Sequence, residues 1–429
     1  MEEKLNAILA QHHPAALDVM TDLGKRLYFP KGVPVQAAQA KEAGCPFNAT
    51  IGELKGEDGA ALPLPIMQET IVGLSPEESF LYQAQGGRRD LRQAWSQHIF
   101  EEMPETYSLP VACMGLTHGL SICADLFVDA QTDVLLPAPR WGNYDVIFGM
   151  RPQGRIHNYT VMKEAADVRR SGFNIEGIQA ALTKIQHKGV LVLNIPSNPV
   201  GYTPTPEEVD QLVEAIETAT KPLVIVLDEA YKGMEWSEDS VQGSIAKRFS
   251  NLDPAKFLVV KVDGATKELF FFGGRIGFVT FLCGPQVAPV LEEKVIASIR
   301  STVSALPSPS QAMVLRALQS PTLDAEVKEI RGLLYRRYQA LKDAMNAHGV
   351  PYFPFNSAFF ALVRTPIDAE QMRKYLLTKG VGVVSVPAQQ AIRVSYSTVS
   401  VENIPRMINI IADALKEHQK RSETFPSKM

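Results

Sequence analysis

Short apolar runs alternate with amphipathic stretches through the middle of the chain. Residues 134–136, 190–195, 223–227, 257–262 and 277–282 are mostly apolar, and each reads as a buried strand. Between them the period changes. Leu91, Trp95 and Phe100 mark a helix over 90–100. Gly115-Leu116-Thr117-His118-Gly119 opens another, with Leu120, Ile122, Cys123, Leu126 and Phe127 along it. Thr205-Pro206-Glu207-Glu208 is a helix start, with the helix running to about Thr218. Strand–helix alternation with near-continuous apolar strands predicts a mainly parallel sheet covered on both faces.

The flanks have a different texture. Leu5, Ile8 and Leu9, continuing to residues 17–27, predict one amphipathic helix, followed by an irregular arm rich in Pro and Gly. Residues 310–319 and 324–349 read as helices, the second carrying Ile330, Leu333, Leu334, Tyr338 and Leu341 on one face. Alternating segments at 359–363, 382–386 and 391–396 precede a closing helix over 401–418, which makes this end an α+β lobe.

Sheets of this kind bind ligands at the carboxyl ends of their strands. Asn198, Asp228 and Lys267 each follow a predicted strand, so all three are expected on one rim. Lys267 and Arg275 lie between two strands, among glycines and the run Phe270-Phe271-Phe272. A lysine amine in a dry pocket loses its proton more readily and can form a Schiff base, and an arginine beside it is a fixed fork for a phosphate. Taken alone, such a pair is more often on the surface. Gly115, Leu116 and Thr117 at a helix start suit an anion, and an ordinary threonine cap suits them equally. His118 reads as a cap or surface residue. Gly52 reads as a turn glycine, Tyr82 ahead of Gly86-Gly87 as packing, and Arg393 within its strand as a charge facing water.

Composition narrows the class without naming it. The 429 residues allow two domains or one large and one small lobe. Apolar (45%) and charged (21%) fractions are those of an ordinary globular protein, and a net charge of -4 offers nothing to nucleic acid. Cys45, Cys113, Cys123 and Cys283 have no CxxC spacing, so neither a metal site nor a disulfide frame is expected. No stretch has the length of a signal peptide core or a membrane span. A cytoplasmic protein with no membrane partner is expected.

Together these residues carry a resemblance. Asn198-Pro199-x-Gly201, Asp228-x-x-Tyr231, Lys267, Arg275 and a late Arg393, in that order, resemble the fold-type-I pyridoxal-phosphate enzymes of the aspartate/aromatic aminotransferase superfamily, over essentially the whole chain. The resemblance implies an α/β fold with a mainly parallel seven-stranded sheet flanked by helices and a smaller α+β domain. It implies an N-terminal arm over 1–52 that joins the small domain and the dimer, a large cofactor-binding domain over 53–308, and a small domain over 309–429.

Pyridoxal 5'-phosphate is the implied cofactor. Lys267 would carry it and shuttle the proton, and Asp228 would pair with the ring nitrogen. Asn198 and Tyr231 would bond the phenolic oxygen, and Trp141 would stack on the ring. Gly115, Leu116, Thr117, Arg275 and the adjacent Thr266 match phosphate positions, and Tyr82 matches a tyrosine that reaches the neighbouring subunit's phosphate. A homodimer with shared active sites follows. Arg393 would take the substrate α-carboxylate, with Gly52 and Phe359 lining the pocket. Arg300 matches the place of an arginine that reads a distal carboxylate across the dimer. Amino acid and 2-oxo acid are the implied substrates, with acidic or aromatic donors favoured.

Gly264 departs from the pattern, since a phosphate-binding serine is common there, and the arm through Gln36 and Lys41 is long. The implied activity is a ping-pong aminotransferase. A carbon–sulfur lyase or decarboxylase on the same fold stays open, as does a non-catalytic regulatory relative. The absence of a G-x-G-x-x-G after the first strand excludes a nicotinamide Rossmann enzyme.

Overall fold

The computed structural model describes residues 1–28, 32–100 and 106–424. Its strands are β1 (Phe47–Asn48), β2 (Val111–Cys113), β3 (Asp133–Ala138), β4 (Arg155–Thr160), β5 (Gly189–Asn194), β6 (Leu223–Asp228), β7 (Phe257–Asp263), β8 (Gly277–Leu282), β9 (Phe360–Arg364), β10 (Val381–Gly382), β11 (Val384–Val386) and β12 (Ala391–Ser395). Seven of them form one sheet in the order β2-β8-β7-β6-β5-β3-β4, in which only β8 opposes the rest.

Period-two alternation divides the core between the sheet's faces. Val190, Val192, Val226, Val260 and Val262 join the cluster under helix Gly115–Phe127. Leu191, Leu193, Ile225, Leu227 and Val259 join the cluster under helices Ile175–Leu182 and Pro206–Glu217. The second of these helices starts as its sequence requires. The Thr205 side chain accepts from Glu208 N (3.2 Å), and Glu208 Oε2 accepts from Thr205 N (3.0 Å).

A third cluster lies between helices Leu323–His348 and Asn403–Thr424 and the antiparallel sheet β11-β12-β9. The single strand predicted over 382–386 is two. β10 pairs with β1 in parallel, and β11 pairs with β12, so one stretch serves two sheets and ties residues 47–48 to this end of the molecule. The single N-terminal helix predicted is also broken, into Glu2–His12, Pro14–Asp18 and Asp22–Arg26. Pro14 disfavours helical backbone at His13, which caps the second piece instead. The arm expected to be irregular carries helix Val33–Glu42, with Ala37 and Ala40 buried.

Among the described residues, no helix is long and apolar enough to cross a membrane, and no cluster of side chains could hold a metal ion. The four cysteines are free.

Candidate active site

The registers Asn194↔Asp228 and Asp228↔Val262 align the carboxyl ends of β5, β6 and β7. Asp228 is the last residue of β6, and the single turn Ala265–Glu268 after β7 presents Lys267. Beside them is a cavity of about 240 Å³, lined by Asn198, Asp228, Tyr231, Thr266, Lys267 and Arg275, with Leu116, Thr117, Trp141 and Tyr144 completing its wall. The rim expected of Asn198, Asp228 and Lys267 is therefore one surface. Lys267 Nζ is 5.3 Å from the Tyr231 ring centre. Burial pushes its pKa down to about 8, Asp228 offsets this in part, and Arg275 adds to the depression. Burial likewise raises Asp228, against the hydroxyl of Tyr144 and the charge of Lys267.

One corner of the cavity suits an anion. Helix Gly115–Phe127 begins with no side-chain cap, so its first N–H groups are free of the threonine cap that the sequence also allowed. His118 Nδ1 accepts from Met114 N, the N–H just ahead of the helix, at 3.1 Å. Gly115 has φ +76°, and a Cβ there would stand 2.5 Å from Arg275 Nη2, so glycine is what lets the guanidinium approach the helix start. Arg275 itself adopts φ 54°, a strained conformation for a non-glycine residue. Thr266 Oγ1 is buried with no hydrogen-bond partner, and it borders the cavity. Gly264 leaves no room for a serine, because a Cβ would meet Gly277 Cα and the Ile276 carbonyl oxygen at 2.6 Å. The missing serine has a steric cause, and the neighbouring free hydroxyl is that of Thr266.

Bonded to the cavity-lining Asn198 is a group that suits a carboxylate. Arg393, read from the sequence as facing water, is buried on β12. It donates from Nη2 to the Thr50 carbonyl (2.6 Å) and from Nη1 to Asn198 Oδ1 (3.0 Å), while Nε has no partner. The guanidinium lies 4.3 Å from the Phe360 ring centre, and burial lowers its pKa to about 10. A buried cation without a counter-charge is costly unless a ligand supplies one. Gly52 follows on the Thr50 strand-end segment, and a Cβ on it would press on Phe360 Cζ at 2.6 Å. Phe359 is buried edge-on to Tyr231, with ring centres 5.4 Å apart.

Gly52, Gly115, Phe359 and Arg393 are not among the residues lining this cavity, and neither are two exposed residues. Tyr82 is 90% exposed, and Arg300 is exposed with its Nη1 donating to Ser304 Oγ at 2.6 Å. Two others were not anticipated. The Tyr144 hydroxyl donates to Asp228 Oδ2. Asn194 donates to the Asp228 carbonyl (3.1 Å) and accepts from Asn198 N (2.7 Å), tying two loops together. Their positions just after β3 and at the end of β5 were the only sequence signals for them.

A second group of buried charges sits one residue along from these side chains. Glu268 accepts from Lys232 (2.6 Å) and pairs with His98 (2.9 Å). Lys261 pairs with Asp263 and with Glu229 (3.2 Å), and Trp95 donates to Asp263 at 3.2 Å.

A seven-stranded sheet with one opposed strand, and a buried lysine, a buried aspartate and a corner suited to an anion at its carboxyl rim, are those of a fold-type-I pyridoxal-phosphate enzyme. The chain belongs to the aminotransferase class I and II family, whose profile it matches over residues 47–411. It is 26% identical over 396 residues to a probable aspartate/prephenate aminotransferase of Aquifex aeolicus, covering 89% of this chain and 94% of that one. It is 24% identical over 315 residues to the cytoplasmic aspartate aminotransferase of Caenorhabditis elegans, covering 68% and 75%. Among solved structures, an aminotransferase from Anaerococcus prevotii superposes with TM-score 0.83 at 20% identity, covering 92% of this chain and 99% of that one. The Thermus thermophilus aspartate aminotransferase with maleate superposes at 0.75 and 20% identity, covering 92% and 100%. The chain is thus a pyridoxal-phosphate-dependent aminotransferase, acting on amino acids and 2-oxo acids. The unpartnered Thr266 hydroxyl, the capless helix start and the carboxylate-free Arg275 fit the cofactor's phosphate.

Proposed function

We propose that the enzyme passes an amino group from an L-amino acid to a 2-oxo acid in two half-reactions at one site, with acidic or aromatic donors favoured. The observation that carries this reading is that Lys267 and Asp228 share a cavity whose wall residue Asn198 is bonded to a buried, unpaired Arg393. The cofactor supplies the electron sink that makes loss of the substrate α-proton feasible. Asp228 would hold a proton on the ring nitrogen, and Tyr231 and Asn198 would bond the phenolic oxygen. Lys267, with its amine near neutrality, takes up and returns the α-proton at Nζ. Arg393 binds the α-carboxylate through its free edge. Gly115, Leu116, Thr117, Thr266 and Arg275 would hold the phosphate, and Trp141 would cover the ring. Residues 1–52, 53–308 and 309–429 are taken as arm, large domain and small domain.

We infer a homodimer with shared sites from the two outlying residues. Tyr82 has no burial in its own chain, and neighbouring Phe80 and Leu81 are also exposed. In a dimer these side chains would be covered, with Tyr82 and Arg300 completing the partner's site.

The test is an amino-acid panel that follows loss of the cofactor's absorption band and release of a 2-oxo acid. Repeating it with Arg300→Leu examines the donor class. Aspartate and glutamate should lose about 2–5 kcal/mol in kcat/KM, the usual result of truncating one partner of a buried charge pair, while phenylalanine should lose little. Equal losses for all three donors would make Arg300 structural. Amine or sulfide release without a 2-oxo acid partner would favour a lyase.

A further inference from the structure

We propose that Arg337 is a positioning residue for Arg393. With Glu57 it clamps residues 48–57 onto β12 and the chain that follows it, and so fixes the Thr50 carbonyl that aims the Arg393 guanidinium. The proposal rests on the assignment of Arg393 to the substrate α-carboxylate.

Residues 48–57 are fastened along β12 and its continuation at successive carbonyls. The Asn48 carbonyl accepts from Thr398 Oγ1 (2.8 Å), that of Ala49 from Ser395 N (2.9 Å), that of Thr50 from Arg393 Nη2 (2.6 Å) and that of Ile51 from Ser395 Oγ (2.7 Å). Lys55 N then donates to the Ser397 carbonyl at 3.2 Å. Arg337, reaching in from helix Leu323–His348, closes the row and is itself 0% exposed. Its Nη2 donates to the Lys55 carbonyl (2.8 Å) and to Glu57 Oε1 (2.7 Å), Nε donates to the same carboxylate oxygen (3.2 Å), and Nη1 donates to the Ser397 carbonyl. Glu57 Oε2 accepts from Val401 N at 3.0 Å, so guanidinium and carboxylate both bridge the two segments. Three acceptors in fixed directions suit a planar fork, and an ammonium on a flexible stem cannot satisfy them together.

The two buried arginines differ in what completes them. Arg337 has a carboxylate in Glu57, whereas Arg393 has none and keeps Nε free. Arg393 meets the clamped segment twice. The Thr50 carbonyl takes Nη2, and Gly52, by having no Cβ, lets the Phe360 ring lie 4.3 Å from the guanidinium. A shift in residues 50–52 therefore turns the fork that Arg393 offers a carboxylate. It leaves Asp228 and Lys267 in place, because β6 and the turn after β7 hold them.

The experiment compares donors with and without the group that Arg393 reads. In half-reactions of the holoenzyme, followed by loss of the cofactor's absorption band, phenylalanine is set against phenethylamine and aspartate against β-alanine. The second of each pair lacks the α-carboxylate. Arg337→Lys should lower kcat/KM about 10- to 100-fold for the two amino acids, mostly through KM, the scale of a lost hydrogen bond to a charged group, and leave the two amines within about twofold. Binding of hydrocinnamate, a carboxylate without an amine, should weaken by the same factor. In an Arg393→Leu background the same substitution should add nothing further. Equal losses for amino acids and amines, or no loss for either, overturn the proposal. If Arg337→Lys does not fold, Glu57→Gln keeps an oxygen for Arg337 and removes the charge. It should shift the amino-acid-to-amine ratio about threefold, the scale of a half-exposed ion pair, and an unmoved ratio overturns the proposal equally. Failure of the underlying assignment is distinct, because Arg393→Leu alone would then leave that ratio at its wild-type value.

Discussion

Lys261 and Lys267 lie on consecutive elements, both shielded from bulk water, and their environments push them in opposite directions. Burial acts to lower both. At Lys261 the carboxylates of Asp263 and Glu229 outweigh it, and the amine ends above its ordinary value. At Lys267 only Asp228 opposes burial and Arg275 reinforces it, so the amine falls to about 8. The difference extends to their surroundings. Lys261, Glu229, Asp263, Lys232, Glu268 and His98 are joined in ion pairs among themselves. Asp228, Lys267, Arg275 and Arg393 form no ion pair among the described residues. The paired group rigidifies the strand ends, whereas the cavity group is left for a ligand to complete. Unpaired buried charge is a cost that persists where binding later offsets it.

The sharpest way to break the comparison is to exchange the fates of the two lysines. Borohydride should fix the cofactor on Lys267, and Lys267→Ala should lower turnover on the order of 10⁴-fold or more while the fold survives. Lys261→Met should instead destabilise by about 3–5 kcal/mol, since it strands two buried carboxylates. Label recovered from a Lys261 peptide would reverse the assignment.

The paired group should also dominate acid stability. Burial would raise the Glu268 carboxyl, but Lys232 and His98 together hold it well below the usual carboxylate range. A depressed acid contributes stability above its unfolded pKa and loses it as pH falls through the folded one. Glu268→Ala should cost about 3–5 kcal/mol at pH 7 by urea midpoint and flatten the loss of stability below about pH 5. Asp228→Asn should cost little stability yet lower kcat about 10²- to 10³-fold, the scale of removing one preorganised electrostatic contact. A variant pair with the two effects interchanged would dissolve the distinction between the groups.

How far this was legible in the sequence follows from burial. β5, β6 and β7 are covered on both faces, so apart from Lys261 and the polar residues Asn194, Asp228 and Asp263 at their ends they are apolar, and the strands could be read directly. β4 is an edge strand, Arg155-Ile156-His157-Asn158-Tyr159-Thr160, with only Tyr159 fully buried, and it carries no such signal. β2 is three residues long and merges with the helix start that follows it. Arg393 looked solvated because a lone charge in a strand usually is. Its burial depends on Thr50, Asn198 and Phe360, which meet it only in the folded chain. Tyr144 was visible in its loop, but an acceptor more than eighty residues away is not a local property.

The smallest effect tests the cavity group before any ligand arrives. With a folded pKa of about 8 and an unfolded value of 10.5, Lys267 binds fewer protons in the folded protein between those limits. The unfolded state then holds more protons, so stability rises with pH across this window and the cost is fully present below about pH 8. This difference corresponds to about 3 kcal/mol, and because the amine borders an open cavity we expect about 1–3 kcal/mol. Cofactor-free Lys267→Met should therefore be more stable than cofactor-free wild type by that amount at pH 7. The advantage should fade as pH approaches 10.5, where the wild-type amine is neutral in the folded protein and the two states differ little in charge. Urea midpoints at pH 7, 8, 9 and 10 for both proteins measure it, and the titrations of Cys113, Cys123 and the buried tyrosines cancel in the difference. An advantage that stays constant across the range would come from methionine packing, and the unpaired charge of Lys267 would then carry no cost for ligand binding to offset.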